Sequence, residues 1–187
     1  MSLTYSNYGM LKKGDQAPEF GLPGVDGRKH SLKNYGGKKA YLVVFMCNHC
    51  PYVKPKMTYL KALQDKYAGQ GLQVFGISSN DTKSYAEDDF ENMKKVSEKH
   101  KFMFPYLIDE SQATAKAYGA ACTPDPFLFN SEKKLVYHGR IDDAHGKMHD
   151  DASTNELEEA VQQALKGEKV TVKEEPSLGC NVKWKSN

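Results

Sequence analysis

The apolar run Ala40-Tyr41-Leu42-Val43-Val44-Phe45-Met46, followed at once by Cys47-Asn48-His49-Cys50, constrains this chain more than any other stretch. A short run without polar alternation is the pattern of a strand buried on both faces. The residues from about Pro51 to Ala68 carry Val53, Met57, Leu60 and Tyr67 near one stripe, and Gly69 and Gly71 follow. They read as a helix with a glycine stop. Two thiols three residues apart at a strand-to-helix junction can close a small disulfide ring and reopen it, which is the geometry of thiol–disulfide exchange.

Around this junction, strands and helices alternate. Glu19 to Ser31 reads as a hairpin turning at Asp26-Gly27. Leu72 to Ser78 and Phe104 to Ile108 read as strands, with a helix over Asp88–His100 between them and a second over Ser111–Tyr118 closed by Gly119. Phe127 to Phe129 and Lys134 to His138 form a last hairpin, and Pro126 predicts a bulge or a late strand start there. Ser153-Thr154-Asn155-Glu156 fits a capping box before a helix ending at Gly167. This order implies an α/β fold of three layers, α/β/α, with a central mixed sheet and an N-terminal β-hairpin extension. The length of 187 residues suits one domain over 1–187, with 170–187 as a C-terminal tail.

Charge excludes some partners. The chain has 26 basic and 24 acidic residues, net +2, so it offers no electrostatic case for nucleic acid or an anionic membrane. No apolar stretch approaches the ~20 residues of a membrane helix. Met1 to Phe20 is polar and shows no secretion signal, so the expected location is cytoplasmic. The four cysteines, Cys47, Cys50, Cys122 and Cys180, then suggest a reducing compartment with a redox-active pair rather than a disulfide framework.

Only a thiolate attacks a disulfide or a peroxide efficiently. A helix N-terminus supplies N–H groups and positive potential that favour it. Cys47, at the mouth of the turn, is therefore the expected nucleophile, and Cys50, one turn into the helix, the resolving thiol. His49 lies inside the ring and is expected to lower the Cys47 pKa. A zinc half-site is the rival reading of this motif, but no second CxxC or CxxH pair is present, so no structural metal is expected. Thr123-Pro124 stands before the last hairpin. If that bond is cis, Thr123 turns its backbone outward to bind an extended substrate.

Taken together, the apolar strand, the CxxC, Pro55 and Tyr118-Gly119…Thr123-Pro124 resemble the thioredoxin fold. The wider chain is similar to the peroxiredoxin-like branch of the alkyl hydroperoxide reductase / thiol-specific antioxidant (redoxin) superfamily. The similar segments are Gly14 to Phe20, Phe45 to Val53, Phe104 to Glu110, Tyr137 to Asp143 and Gly179 to Trp184. The resemblance implies a cis Pro124 facing Cys47 and a thiol-dependent redox activity. It does not by itself imply a peroxidase. The proline and hydroxyl residue that precede a peroxidatic cysteine in that group are replaced by Val43 and Cys47 ahead of Cys50, and by Ala40 and Val44 ahead of Cys47. Met46 and Tyr41 also replace the tryptophan and buried acid usual in thioredoxin.

The first reading is thus a thiol–disulfide oxidoreductase that needs no dissociable cofactor. It acts on a protein or small-molecule disulfide or peroxide and is recharged by an external thiol reductant. The alternatives are an antioxidant thiol peroxidase, in which one cysteine passes through sulfenic acid, and a soft-metal-binding module using Cys47, Cys50 and His49. Accessory candidates are Arg140 as positive charge, Cys122 as a core thiol or a neighbour of the pair, and Cys180 as an extra resolving thiol or a packing partner of Trp184. The Asp142-Asp143-Ala144-His145 and His149-Asp150-Asp151 residues read as a solvated loop.

Overall fold

A computed structural model describes residues 2–186. The Ala40–Met46 run makes the central strand. Numbered along the chain, the strands are β1 (Leu3–Tyr5), β2 (Leu22–Pro23), β3 (Lys29–His30), β4 (Ala40–Phe45), β5 (Leu72–Ser78), β6 (Tyr106–Ile108), β7 (Cys122–Thr123), β8 (Asp125–Asn130), β9 (Leu135–His138) and β10 (Leu178–Asn181). The α-helices are α1 (Met57–Tyr67), α2 (Phe90–His100), α3 (Ala113–Tyr118) and α4 (Glu156–Leu165).

The main sheet runs β6-β5-β4-β8-β9. β4, β5 and β6 are parallel, whereas β8 lies antiparallel to β4 and β9 antiparallel to β8. Every residue of β4 is buried because both faces of the strand are covered. Ala40, Leu42, Val44 and Met46 join α1, α2 and α4 through Met57, Leu60, Met93, Leu157 and Val161. Tyr41, Val43 and Phe45 face the other way, onto Ala115 and Tyr118 of α3 and onto Phe20 and Leu22. This is the expected three-layer arrangement with a central mixed sheet, and β2–β3 is the expected N-terminal hairpin. No helix among the described residues is long and apolar enough to cross a membrane.

Three local expectations change. The helix after the cysteines starts at Met57, not Pro51, and is preceded by turns and a 3-10 stretch over Lys54–Lys56. Pro55 has no N–H to donate, and its ring crowds the carbonyl one turn earlier. Pro126 lies inside β8, paired with Val44, where the β9 ladder has not yet begun, and the irregularity falls later, between Leu128 and Phe129. The Ser153 capping box is absent: Asn155 precedes α4, Ser153 Oγ donates to Asp150, and Glu156 accepts from Arg140.

The tail is part of a sheet. β10 lies between β1 and β7, antiparallel to both, in the three-stranded order β1-β10-β7. The register sets Cys180 opposite Leu3 on one side and Thr123 on the other.

Candidate active site

The cysteine turn sits at the C-terminal end of β4, where the helix start is displaced. The Cys50 carbonyl accepts from Val53 N–H at 3.0 Å and Lys54 N–H at 3.1 Å, so the chain begins to coil only after Cys50. The N–H groups just after Cys47 are taken by a carboxylate from elsewhere. Asn48 N–H and His49 N–H donate to Asp88 Oδ1 at 2.8 and 3.1 Å. Asp88 is fully buried in a 3-10 turn before α2 and also accepts from Asn80 Nδ2 at 2.8 Å. The donors expected to hold a Cys47 thiolate therefore hold Asp88 instead.

Cys47 and Cys50 are 1% and 0% exposed, so neither sulfur stands at an open mouth. Cys47 gives its proton in a hydrogen bond to Cys50. That bond, together with burial and the Asp88 charge, pushes the Cys47 thiol well above its usual value, with only partial relief from the Thr123 hydroxyl. This reverses the expected direction for Cys47. Cys50 moves down to about 5, chiefly through the Cys47 S–H bond, working against burial. The Thr123 hydroxyl and the N–H and S–H of Cys180 add to that stabilisation. The Thr123 carbonyl, 3.2 Å from Cys50 Sγ, can only accept and so opposes ionisation, but the donors outnumber it. The two sulfurs thus titrate as one unit, with a proton shared between them that favours Cys47.

His49 does reach the site. Its Nδ1 is 3.9 Å from Cys47 Sγ but donates first to Asp88 Oδ2 at 2.6 Å, and its ring stacks on Tyr85 with centroids 5.2 Å apart. Asn48 is fixed by the Tyr106 hydroxyl, which donates to its Oδ1 at 2.9 Å, and by its own donation to the Glu87 carbonyl at 2.8 Å. Cys47, His49 and Asp88 bring ligand atoms within 4.8 Å of one another, the right donor types for a metal. The Asp88 oxygens, however, already accept from Asn48, His49 and Asn80, so a metal would have to displace those donors.

The Thr123–Pro124 bond is cis, and Thr123 Oγ1 lies 3.7 Å from Cys47 Sγ. Its edge is not open to an extended substrate, because β10 of the same chain is paired along it. Cys122 is buried, with Pro124 and Ser177 carbonyls 3.7 and 3.8 Å from its sulfur; burial, then the Asp125 charge, drive its thiol far up. It is a core thiol. Arg140 is engaged by Glu156, with Nε and Nη2 donating to Oε1 at 2.8 and 2.5 Å. The loop expected to be solvated is anchored inside: Asp142 is buried and accepts from Lys56 Nζ at 2.6 and 2.7 Å and from His149 Nδ1 at 2.8 Å.

Asp88 and Asn80 escape the sequence reading. The signal for Asp88 is its neighbour: Asp89 caps α2 by accepting from Asn92 N–H at 2.8 Å, so the acid before it is not needed as a cap. Cys180 is buried against Cys50, and both its burial and the Cys50 sulfur hold its thiol up to about 11.

A sheet of this order, with a cysteine pair at the end of its central strand, defines a protein of thioredoxin-like fold. Residues 13–138 match the AhpC/TSA family, and the chain belongs to that family. Among curated proteins, it is similar to the thiol-disulfide oxidoreductase ResA of Geobacillus thermodenitrificans, with 30% identity over 122 residues. That match covers 65% of this chain and 66% of the relative, just under two thirds of its length. Two solved structures align almost end to end. An uncharacterized conserved protein of Geobacillus kaustophilus is 40% identical at a TM-score of 0.91, covering all of this chain and 98% of its own. A hypothetical protein of Sinorhizobium meliloti is 41% identical at 0.93, covering 98% of this chain and 100% of its own.

Proposed function

We propose that this protein is a thiol–disulfide oxidoreductase in which Cys47 and Cys50 cycle between dithiol and disulfide. The observation that carries this reading is geometric: two thiols three residues apart at the end of β4, with Thr123 Oγ1 3.7 Å from Cys47 Sγ and the Thr123 carbonyl 3.2 Å from Cys50 Sγ. On this reading Cys47 makes the first attack, and Cys50, packed against Cys47, Thr123 and Cys180, is the resolving thiol. As the Cys47 sulfur bonds to one sulfur of a disulfide substrate, its proton passes to Cys50 and the other substrate sulfur leaves. Cys50 then passes that proton to the departed substrate sulfur and displaces the first substrate sulfur from Cys47, leaving a Cys47–Cys50 disulfide, one substrate thiol and one substrate thiolate that takes its proton from water. An external thiol reductant restores the pair, and the sulfurs themselves carry the electron pair. The positioning groups are Asp88, which fixes the turn and the His49 ring, and Thr123, whose hydroxyl touches both sulfurs.

The ResA likeness supports this chemistry, as does the AhpC/TSA match. With β10 on the Thr123 edge, the substrate reaches Cys47 without adding a strand there, which suits a small disulfide or a single exposed disulfide of a protein. A cytoplasmic setting fits four cysteines outside any disulfide framework and supplies the thiol reductant.

Trapping with Cys50→Ser tests the reading. A mixed disulfide held through Cys47 is the expected product. A Cys47 sulfenic acid with no attached partner would instead assign the protein to peroxide reduction, and a Cys47 that stays a free thiol in the presence of disulfide would overturn the exchange mechanism.

A further inference from the structure

The Cys47–Cys50 pair has a third sulfur beside it. Cys180 reaches Cys50 with both its N–H and its S–H. Its strand is held in place along its length. Ser177 Oγ donates to the Pro124 carbonyl at 2.5 Å, Val182 N–H to the Ala121 carbonyl at 3.0 Å, and Lys183 N–H to Asn80 Oδ1 at 2.9 Å. Gly179 makes the approach possible, because a Cβ at that position would lie 1.9 Å from the Thr123 carbonyl oxygen. The tail therefore presents a cysteine, in an extended strand antiparallel to Thr123, directly to the redox pair.

We propose that Cys180 is a third redox thiol and that Cys50 exchanges its disulfide partner between Cys47 and Cys180. The proposal rests on the exchange chemistry assigned to Cys47 and Cys50. Starting from the Cys47–Cys50 disulfide, the Cys180 thiolate attacks Cys50 Sγ. The Cys50–Cys180 bond forms, the Cys47–Cys50 bond breaks, and Cys47 leaves as a thiolate that takes up the proton Cys180 gave up. One disulfide and one thiol stand on each side of the step, so no outside oxidant or reductant enters. Cys47 is returned to the thiol state, while the oxidising equivalents rest on two buried sulfurs.

The electrostatics change in the direction the step needs. In the dithiol, burial and then Cys50 hold Cys180 up to about 11, while Lys183 pulls it down. Once Cys50 enters a disulfide its charge is gone and Lys183 remains. Cys180 is thus easier to ionise at the stage where it must attack.

The test oxidises full-length Cys47→Ser with diamide and maps disulfides by non-reducing peptide mass spectrometry. A Cys50–Cys180 cross-link as the dominant product is expected. Its absence, with Cys180 recovered as a thiol, would overturn the proposal. Gly179→Ala, which pushes the tail off Thr123 and leaves every sulfur in the chain, serves as the second variant. In Gly179→Ala the Cys47–Cys50 disulfide should still form and the Cys50–Cys180 link should be lost; persistence of that link would sink the role given to the strand. Cys180→Ser separates the two readings. If it cannot form Cys47–Cys50, the exchange mechanism itself fails, whereas Cys47–Cys50 forming there with no Cys180 link in Cys47→Ser removes the third thiol alone.

Discussion

Cys47 and Cys122 each stand near a buried aspartate that holds a histidine ring. Asp88 accepts from His49 Nδ1 at 2.6 Å, and His138 Nε2 meets Asp125 Oδ1 at 2.8 Å. Both rings are stacked, His49 on Tyr85 and His138 on Phe127, the latter with centroids 3.9 Å apart. In both, the second ring nitrogen is buried without a hydrogen-bond partner among the described residues. Both carboxylates push their cysteine upward. The difference is the next neighbour. Cys47 has another sulfur that can receive its proton; Cys122 has the carbonyls of Pro124 and Ser177, which accept a hydrogen bond but cannot carry the proton away. A histidine–aspartate pair beside a thiol thus does not distinguish the two sites; the neighbouring sulfur does.

Removing Cys50 on one side and Cys122 on the other separates the two clusters by the largest margin. Cys50→Ser should reduce turnover of a disulfide substrate to the rate of a free thiol, since both the base and the resolving sulfur are gone. Cys122→Ala should leave turnover unchanged. Equal losses from the two would mean that Cys122 takes part and that the contrast is false.

Next in size is stability. Asp125 accepts from Ser6 Oγ at 2.9 Å and Ala121 N–H at 3.2 Å as well as from His138, all in the interior. Asp125→Ala leaves these donors without an acceptor and should cost about 3–5 kcal/mol in urea unfolding, the range for breaking a buried charged contact. Asp88→Asn sharpens the other cluster. It removes the charge that helps hold the Cys47 proton, so the Cys47 titration should move down, while Asp125→Asn should leave the Cys47 and Cys50 titrations where they are.

The sequence makes β4, β5 and the cysteine turn legible because each is a local pattern: an unbroken apolar run, a glycine stop, a fixed Cys spacing. It hides what depends on distant pairing. Leu178-Gly179-Cys180-Asn181 has no strand signature of its own, and it is a strand because Leu3 and Thr123 flank it. The helix start is misplaced by six residues because an apolar stripe says where a helix buries its face, not where Pro55 lets its hydrogen bonds begin. The direction of the Cys47 shift follows from the same error. The N–H groups assumed to face the sulfur belong to Asp88, brought from forty residues away in the chain.

Smallest per step measured is the pH dependence of folding, at most about 1.4 kcal/mol per pH unit for one proton, and it has opposite signs at the two kinds of thiol. Cys50 is lowered from 9.0 to about 5, so between those values the unfolded chain holds a proton that the folded one has released. Stability of the reduced protein should therefore rise with pH across that window and be lost as pH falls through about 5. Cys180 is raised from 9.0 to about 11, so above 9.0 the unfolded chain has released a proton that the folded one keeps, and stability should fall with further alkalinity. Urea midpoints of the reduced protein against pH should show the acid limb in wild type and in Cys122→Ala, and Cys50→Ser should flatten it. An acid limb that survives Cys50→Ser unchanged would place the resting negative charge somewhere other than on Cys50, and the distinction between the two clusters would have to rest on access to substrate rather than on where the proton goes.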